Sequence, residues 1–506
     1  MSAEPDIFDL PVFDLAVIGG GINGTGIARD AAGRGAKVLL LEAGDLAQGT
    51  SSASTKLIHG GLRYLEHYEF GLVREALSER EALWAIAPHV IWPLRFVLPH
   101  VRGLRPRWLL RLGLLLYDHI GGRRKLPTAR SIELADHPAG APLKSDYRHA
   151  FEYSDCWVDD ARLVVLNARD AADRGADVRT RCPLLAARRE TSGDGDHWLI
   201  ETPEGRFRAG ALVNAGGPGV LDVLGRIGEE PPLTMRLVRG SHIVVRQLFD
   251  HDYAYFFQLP DGRIFFAIPY ERDYTLIGTT ERDHAGPAGE LRGGAGADEI
   301  AYLCEGANRY FETQIGPGDV VWTYSGLRPL LDDGSGRPDA ATRGYRLELS
   351  GRHGGAPLLS VYGGKITTFR HLAEDAVDLL GKRLAVFDRP GWTRTHSLPG
   401  GDFPTDGAAA LANELQAAHP FLHAEEALRI VRAYGTLARE WLGEAKVRGD
   451  LGRDFGAGLS QAEVDYLVER EWARTAEDVL WRRSKLGLRL NEGQVAALAD
   501  YLRGRN

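Results

Sequence analysis

Asp14-Leu15-Ala16-Val17-Ile18-Gly19-Gly20-Gly21-Ile22-Asn23-Gly24 is a short apolar run that breaks into glycines and continues into helix-compatible residues as far as Ala32. It reads as strand, tight turn and helix. Lys37-Val38-Leu39-Leu40-Leu41-Glu42 follows, an apolar run of the kind buried on both faces of a parallel sheet, so the chain opens with a βαβ unit. Gly19, Gly21 and Gly24 keep the spacing at which a backbone turns sharply, approaches a pyrophosphate closely and packs a helix on its strand. The helix N-terminus then faces the phosphate charge. Glu42 stands about 20 residues on, at the end of the second strand, where a carboxylate accepts ribose hydroxyls. The pattern predicts a bound dinucleotide without saying which.

Two later strands also end in glycine. Ala211-Leu212-Val213 runs into Asn214-Ala215-Gly216-Gly217-Pro218, and Leu358-Leu359-Ser360-Val361 runs into Tyr362-Gly363-Gly364-Lys365. Points of close backbone approach so far apart suit a long ligand threaded through one domain better than a dissociable nicotinamide coenzyme. Elsewhere, Leu72 to Ile86 has the mixed pattern of an amphipathic helix that Pro88 stops. Arg102 to Lys125 interleaves six arginines with Trp108 and a run of leucines; it reads first as a buried helix with a solvated rim, and second as a membrane-contacting segment. His242 to Arg246, Ile264 to Ile268 and Tyr274 to Thr280 predict an antiparallel sheet. After the Leu398-Pro399-Gly400-Gly401 break the tail is helical, and Thr475-Ala476-Glu477-Asp478 opens Val479-Leu480-Trp481 as a capping box.

With 506 residues, 44% of them hydrophobic and 26% charged, the chain has material for two or three cores. A net charge of −8 argues against a nucleic-acid partner. The three cysteines form no C-x-x-C pair, which predicts a reducing cytoplasm, and the sixteen histidines are spread along the chain, the one H-x-x-x-H spacing, His419 to His423, being interrupted by Pro420, so no metal site is expected. No segment has the roughly 18 apolar residues of a spanning helix, and the acidic N-terminus predicts no export signal.

At longer range the chain resembles the FAD-dependent glycerol-3-phosphate dehydrogenase family. The resemblance runs through Ile18 to Gly24, Gly49 to Leu65, Glu152 to Asp160, Gly240-Ser241-His242, Trp322 to Pro329, Gly363-Gly364-Lys365 and Leu480 to Gly487, nearly the whole chain. One departure is Gly219, where the family pattern has a bulky aromatic. The resemblance implies an α/β fold: a Rossmann-like FAD domain, an antiparallel substrate domain of the D-amino-acid-oxidase type, and a helical C-terminal domain. Expected boundaries are 12–80, 150–230 and 318–390 for the FAD domain, 81–149 and 231–317 for the substrate domain with a membrane-contacting segment at 99–125, and 394–506 for the helical domain. FAD is expected on Gly19, Gly21, Asn23, Gly24, Glu42, Thr50, Ser51, Ser52, Asn214, Gly216, Gly217, Gly364, Lys365, Ile366 and Thr367.

The implied substrate, glycerol 3-phosphate, is a small dianion whose site should gather cations, and arginine grips phosphate oxygens in a fork. Arg63, Arg328 and Lys365 sit beside glycine turns within the matching motifs, with Tyr64 placed to orient substrate. Oxidation removes the hydroxyl proton and a hydride from one carbon, so a base must meet that hydroxyl; His242 is the leading expectation, with Arg328 or Lys365 lowering the hydroxyl's pKa. The implied acceptor is a membrane quinone, met by a peripheral protein on the inner face of the cell membrane. A homo-oligomer stays open. So do three other readings: a glycerol-3-phosphate oxidase using oxygen, an amino-acid oxidase of the same fold, and a membrane-attached flavin sensor without turnover.

Overall fold

The structure is a computed structural model that describes residues 10–101, 106–122, 125–193, 195–259, 262–288, 293–332, 344–352 and 354–505. Arg102, Arg105, Arg123 and Arg124 of the basic segment lie outside the described residues.

The opening motif folds as read. β1 (Val12–Ile18) leads into α1 (Ile22–Gly33) and β2 (Val38–Leu41). β1 lies between β2 and the strand Gly205–Asn214, parallel to both, and Leu358–Gly363 continues the parallel order beyond. Leu15, Ala16, Val17, Val38, Leu39 and Leu40 are fully buried because both faces of these strands are covered, one by helices that include α1 and the other by the hairpin that carries Ala187, Trp198 and Ile200, which explains the unbroken apolar runs. Parallel strands have their carboxyl ends on one edge, so Gly19, Glu42, Ala215 and Gly364 converge there. Tyr345–Ser350 joins the sheet antiparallel at one side, and the hairpin Ala186–Ser192/Gly195–Thr202 packs onto Gly205–Asn214.

The second sheet is almost entirely antiparallel. Met235–Arg246 pairs with Val320–Leu331 on one side and Tyr274–Gly278 on the other; the order then runs through Ile264–Tyr270 and Ala254–Gln258 to Ile91–Pro99 and His149–Val158. Two strands depart from the expected boundaries. His149–Val158 and Val320–Leu331 fall in ranges assigned to the FAD domain, yet both pair within the second sheet. Local apolar pattern marks a strand but carries no record of which sheet receives it.

α2 (Phe70–Ile86) forms as expected. α3 (Arg107–Ile120) does not fit the buried-helix reading, since only Leu114 and Tyr117 are buried along it. Trp108 is 69% exposed, and Leu109, Leu112, Leu115 and Leu116 are each more than two-fifths exposed along one face. Tyr117 is its anchor: the phenol donates to Asp155 at 2.8 Å and accepts from the Gly60 amide at 2.8 Å.

The tail is helical with its own core around Leu411, Ile430, Leu467 and Leu498. The predicted capping box exists: the Thr475 amide donates to Asp478 Oδ2 at 2.9 Å and the Asp478 amide to Thr475 Oγ1 at 3.2 Å. A wide π-type turn, Asp478–Arg483, follows and aims two arginines back at the first domain, where Arg483 holds both oxygens of Asp45 at 2.8 Å and Arg482 adds a third contact at 2.6 Å. Gly219 causes no local defect, because Val220–Arg226 forms a helix directly after it.

Candidate active site

A cavity of about 470 Å³ opens where the carboxyl ends of the parallel strands face the second sheet. Its nucleotide half is built from glycines. Gly19 has φ +115°, and a Cβ there would lie 2.5 Å from the Ala215 carbonyl; Gly364 has φ +96° and would collide with Asn23 at 2.9 Å. Neither position tolerates a side chain, so the backbone itself forms the wall. Glu42 accepts from the Gly20 amide at 2.6 Å and the Gly44 amide at 2.7 Å, while burial pushes its pKa above the usual carboxylate range. Ser51 Oγ accepts the Ile22 amide at 3.0 Å at the start of α1. Asn23 donates to the Gly363 carbonyl at 3.2 Å, and its Oδ1 is buried with no hydrogen-bond partner among the described residues, an acceptor aimed at a ligand donor.

Of the expected nucleotide contacts, Gly19, Gly21, Asn23, Glu42, Thr50, Ser51, Gly216, Gly217, Gly364, Lys365, Ile366 and Thr367 line this cavity. Gly24, Ser52 and Asn214 do not. Gly24 serves packing, since a Cβ there would meet the Gly19 carbonyl at 1.9 Å. Asn214 is fully buried and braces the turn, donating to the Val220 carbonyl at 2.9 Å and accepting from the Gly216 amide at 3.2 Å. Ser52 spends its hydroxyl on the Gly49 carbonyl.

The other half of the cavity holds the cations. Arg63, Arg328 and Lys365 all line it, together with Tyr64, and Lys365 Nζ stands 4.0 Å above the Tyr64 ring. Arg328 Nη2 donates to Thr279 Oγ1 at 3.0 Å, and Nη1 lies 3.5 Å from Glu281. Thr50 ties the two halves together by donating to the Leu327 carbonyl at 2.6 Å. Phe96, Tyr153, Phe256 and Phe266 give the second sheet's wall an apolar surface.

His242 departs from its expected place. It is 1% exposed and does not reach the cavity wall; its Nε2 meets Thr55 Oγ1 at 3.0 Å, and Thr55 is the residue that faces the cavity. The imidazole stacks on Tyr324 with ring centres 4.7 Å apart, and burial, with Arg328 and Lys56 nearby, holds its pKa well below the ordinary value. The histidine on the wall is His59, whose amide donates to Thr367 Oγ1 at 3.3 Å. Sequence reasoning passed over it although it stands in the quoted Ile58-His59-Gly60-Gly61 stretch, where the flanking glycines were the available signal. Arg263, Thr279 and Glu281 were missed as well, because nothing local marks them.

Residues 14–370 match the family of FAD dependent oxidoreductases, and residues 392–502 match the C-terminal domain of alpha-glycerophosphate oxidase. A glycerol-3-phosphate dehydrogenase of Pseudomonas aeruginosa is 50% identical, over 98% of this chain and 96% of the relative. The chain belongs to the FAD-dependent glycerol-3-phosphate dehydrogenase family. Within that family, the aerobic glycerol-3-phosphate dehydrogenase of Escherichia coli is 47% identical over 97% of both chains. A D-erythritol 1-phosphate dehydrogenase of Brucella abortus is 49% identical over 100% of this chain and 99% of the relative. Among solved structures, the glycerol-3-phosphate dehydrogenase of Bacillus halodurans complexed with FAD superposes with a TM-score of 0.69 at 25% identity, covering 97% of this chain and 94% of that one. The flavoenzyme's glycine cradle, Glu42 and the orphaned Asn23 acceptor fit such a cofactor.

Proposed function

We propose that this flavoenzyme oxidises glycerol 3-phosphate to dihydroxyacetone phosphate and delivers the electrons to a membrane quinone. The observation that carries the reading is one cavity in which the glycine-built nucleotide crevice is continuous with Arg63, Arg263, Arg328 and Lys365. FAD, bound along Gly19, Glu42, Asn23 and Gly364, supplies a hydride acceptor. Arg63 and Lys365 hold the phosphate, and Tyr64 fixes Lys365 from below. Arg328 donates to the reacting hydroxyl and stabilises negative charge as it develops there. His59 takes the hydroxyl proton while the hydrogen on the same carbon leaves with its electron pair, so the C–O single bond becomes a carbonyl. His242 acts at one remove by holding the Thr55 hydroxyl. The apolar face of α3 seats the molecule on the membrane, with its leucines in the interface.

A second reading takes D-erythritol 1-phosphate as the substrate, favoured by the full-length identity to an enzyme of that name. Anaerobic titration of the purified protein with each compound, following the visible flavin absorbance, separates them. Bleaching at lower concentration by glycerol 3-phosphate, reversed by a soluble quinone, supports the first reading. Preferential bleaching by the four-carbon compound replaces it, and reoxidation by oxygen with stoichiometric peroxide turns the acceptor from quinone to oxygen.

A further inference from the structure

Three carboxylates line the cavity among the described residues: Glu42, Asp155 and Glu281. Glu42 is committed to the Gly20 and Gly44 amides, and Asp155 to Arg80 and Tyr117. Glu281 stands beside Arg328, its Oε1 3.5 Å from Nη1, on the cation-bearing side of the cavity. A carboxylate is a poor neighbour for a phosphate dianion, because like charges repel wherever water is thin. Next to a guanidinium it is a good partner for a hydroxyl, which donates to the carboxylate and accepts from the cation.

The placement is built rather than accidental. Gly240 has no side chain, and a Cβ there would lie 2.7 Å from Arg328 Nη2 and 2.8 Å from Thr279 Oγ1, so the glycine is what lets the guanidinium settle against Thr279. Behind it, Thr280 Oγ1 accepts from the Ser241 amide at 2.9 Å and donates to the buried Glu299 at 2.7 Å, and Ser241 Oγ donates to the same carboxylate at 2.8 Å. The Thr280 amide also donates to the Ser241 carbonyl at 3.2 Å, so Glu281 follows a residue that is locked in three directions. Lys365 stands apart from this pair, over the ring of Tyr64, whose chain neighbour is Arg63.

We propose that Glu281, paired with Arg328, accepts a hydroxyl of the polyol chain and sets which length of polyol phosphate the site takes, the phosphate lying toward Arg63 and Lys365. The inference rests on the polyol-phosphate reading above and deepens it. It is tested by comparing wild type, E281Q and E281D, each loaded with FAD, for the rate of anaerobic flavin bleaching by glycerol 3-phosphate and by D-erythritol 1-phosphate, with inorganic phosphate as competitor. E281Q is expected to lose roughly tenfold or more in kcat/KM for the preferred compound, since a site built to bond a hydroxyl suffers when one partner goes. E281D, shorter by one methylene, should shift the ratio toward the four-carbon compound. Inhibition by inorganic phosphate should stay within about twofold, given that Glu281 does not touch the phosphate. An unchanged ratio in both variants, or phosphate inhibition that moves in step with kcat/KM, overturns the inference alone. Failure of both compounds to bleach wild-type flavin overturns the polyol-phosphate reading and takes this inference with it.

Discussion

His59 and His242 divide between them what the sequence offered as one role. A base must reach the hydroxyl it deprotonates; His59 lines the cavity while His242 sits behind Thr55, which is the ground for proposing His59 as that base. Replacing His59 with asparagine should lower the rate of flavin reduction by roughly a hundredfold or more, the usual contribution of a positioned base. Replacing His242 with glutamine keeps a partner for Thr55 and should cost far less. Stopped-flow reduction of both variants decides it, and a larger loss at His242 would return the proton to the Thr55–His242 pair. The difference was illegible in the sequence because both histidines stand within two residues of a glycine and in family-like words. What separates them is the depth at which each strand enters the wall, a distance that only tertiary packing sets. The glycine-built wall of the cavity was far more legible, since a glycine is demanded by φ and by steric contact.

At the level of elements, α3 carries an apolar face that stands exposed among the described residues, although Tyr117 roots the helix at Gly60 on the cavity wall's flank. A helix whose leucines pointed inward would have satisfied the same periodicity. Amphipathic spacing fixes which residues share a face but not what that face meets, which is why the buried reading and the membrane reading were equally written in the pattern. Changing Leu112, Leu115 and Leu116 together to serine removes apolar area that each leucine would otherwise bury. Association with anionic vesicles should then fall by about tenfold or more at constant salt, with anaerobic bleaching by substrate intact. Co-sedimentation measures it, and unchanged binding would remove α3 from the membrane surface. The second sheet shows the same limit differently: its strands were visible as alternating runs, but their partners span the chain, as Ile91–Pro99 against His149–Val158 and Met235–Arg246 against Val320–Leu331.

Across the whole molecule, the helical tail is held to both sheet-bearing parts of the chain by buried charge and stacking. Arg483 and Arg482 reach Asp45 across more than 430 positions, Arg162 pairs with Glu471, and Trp481 stacks on Trp322 at 4.2 Å. Asp45 belongs to the loop that carries Glu42, and Trp322 to the strand that carries Arg328, so docking of the tail bears on both halves of the cavity. His89 sits fully buried at the same junction, against Phe403, and burial together with Arg162 and Arg432 lowers its pKa to about 3. In the unfolded chain the same histidine titrates near 6.5. Between those values the unfolded state binds a proton that the folded state refuses, so acidification favours unfolding. The contribution is absent above about pH 6.5, grows as pH falls, and levels off near pH 3, with a slope of at most about 1.4 kcal/mol per pH unit for the one group. His89→Gln removes the titration while keeping a side chain of similar reach. Denaturant midpoints measured from pH 7.5 to pH 4.5 should therefore fall less steeply for the variant than for wild type. Parallel curves would mean that His89 is charged in the folded protein and that the junction accommodates the proton.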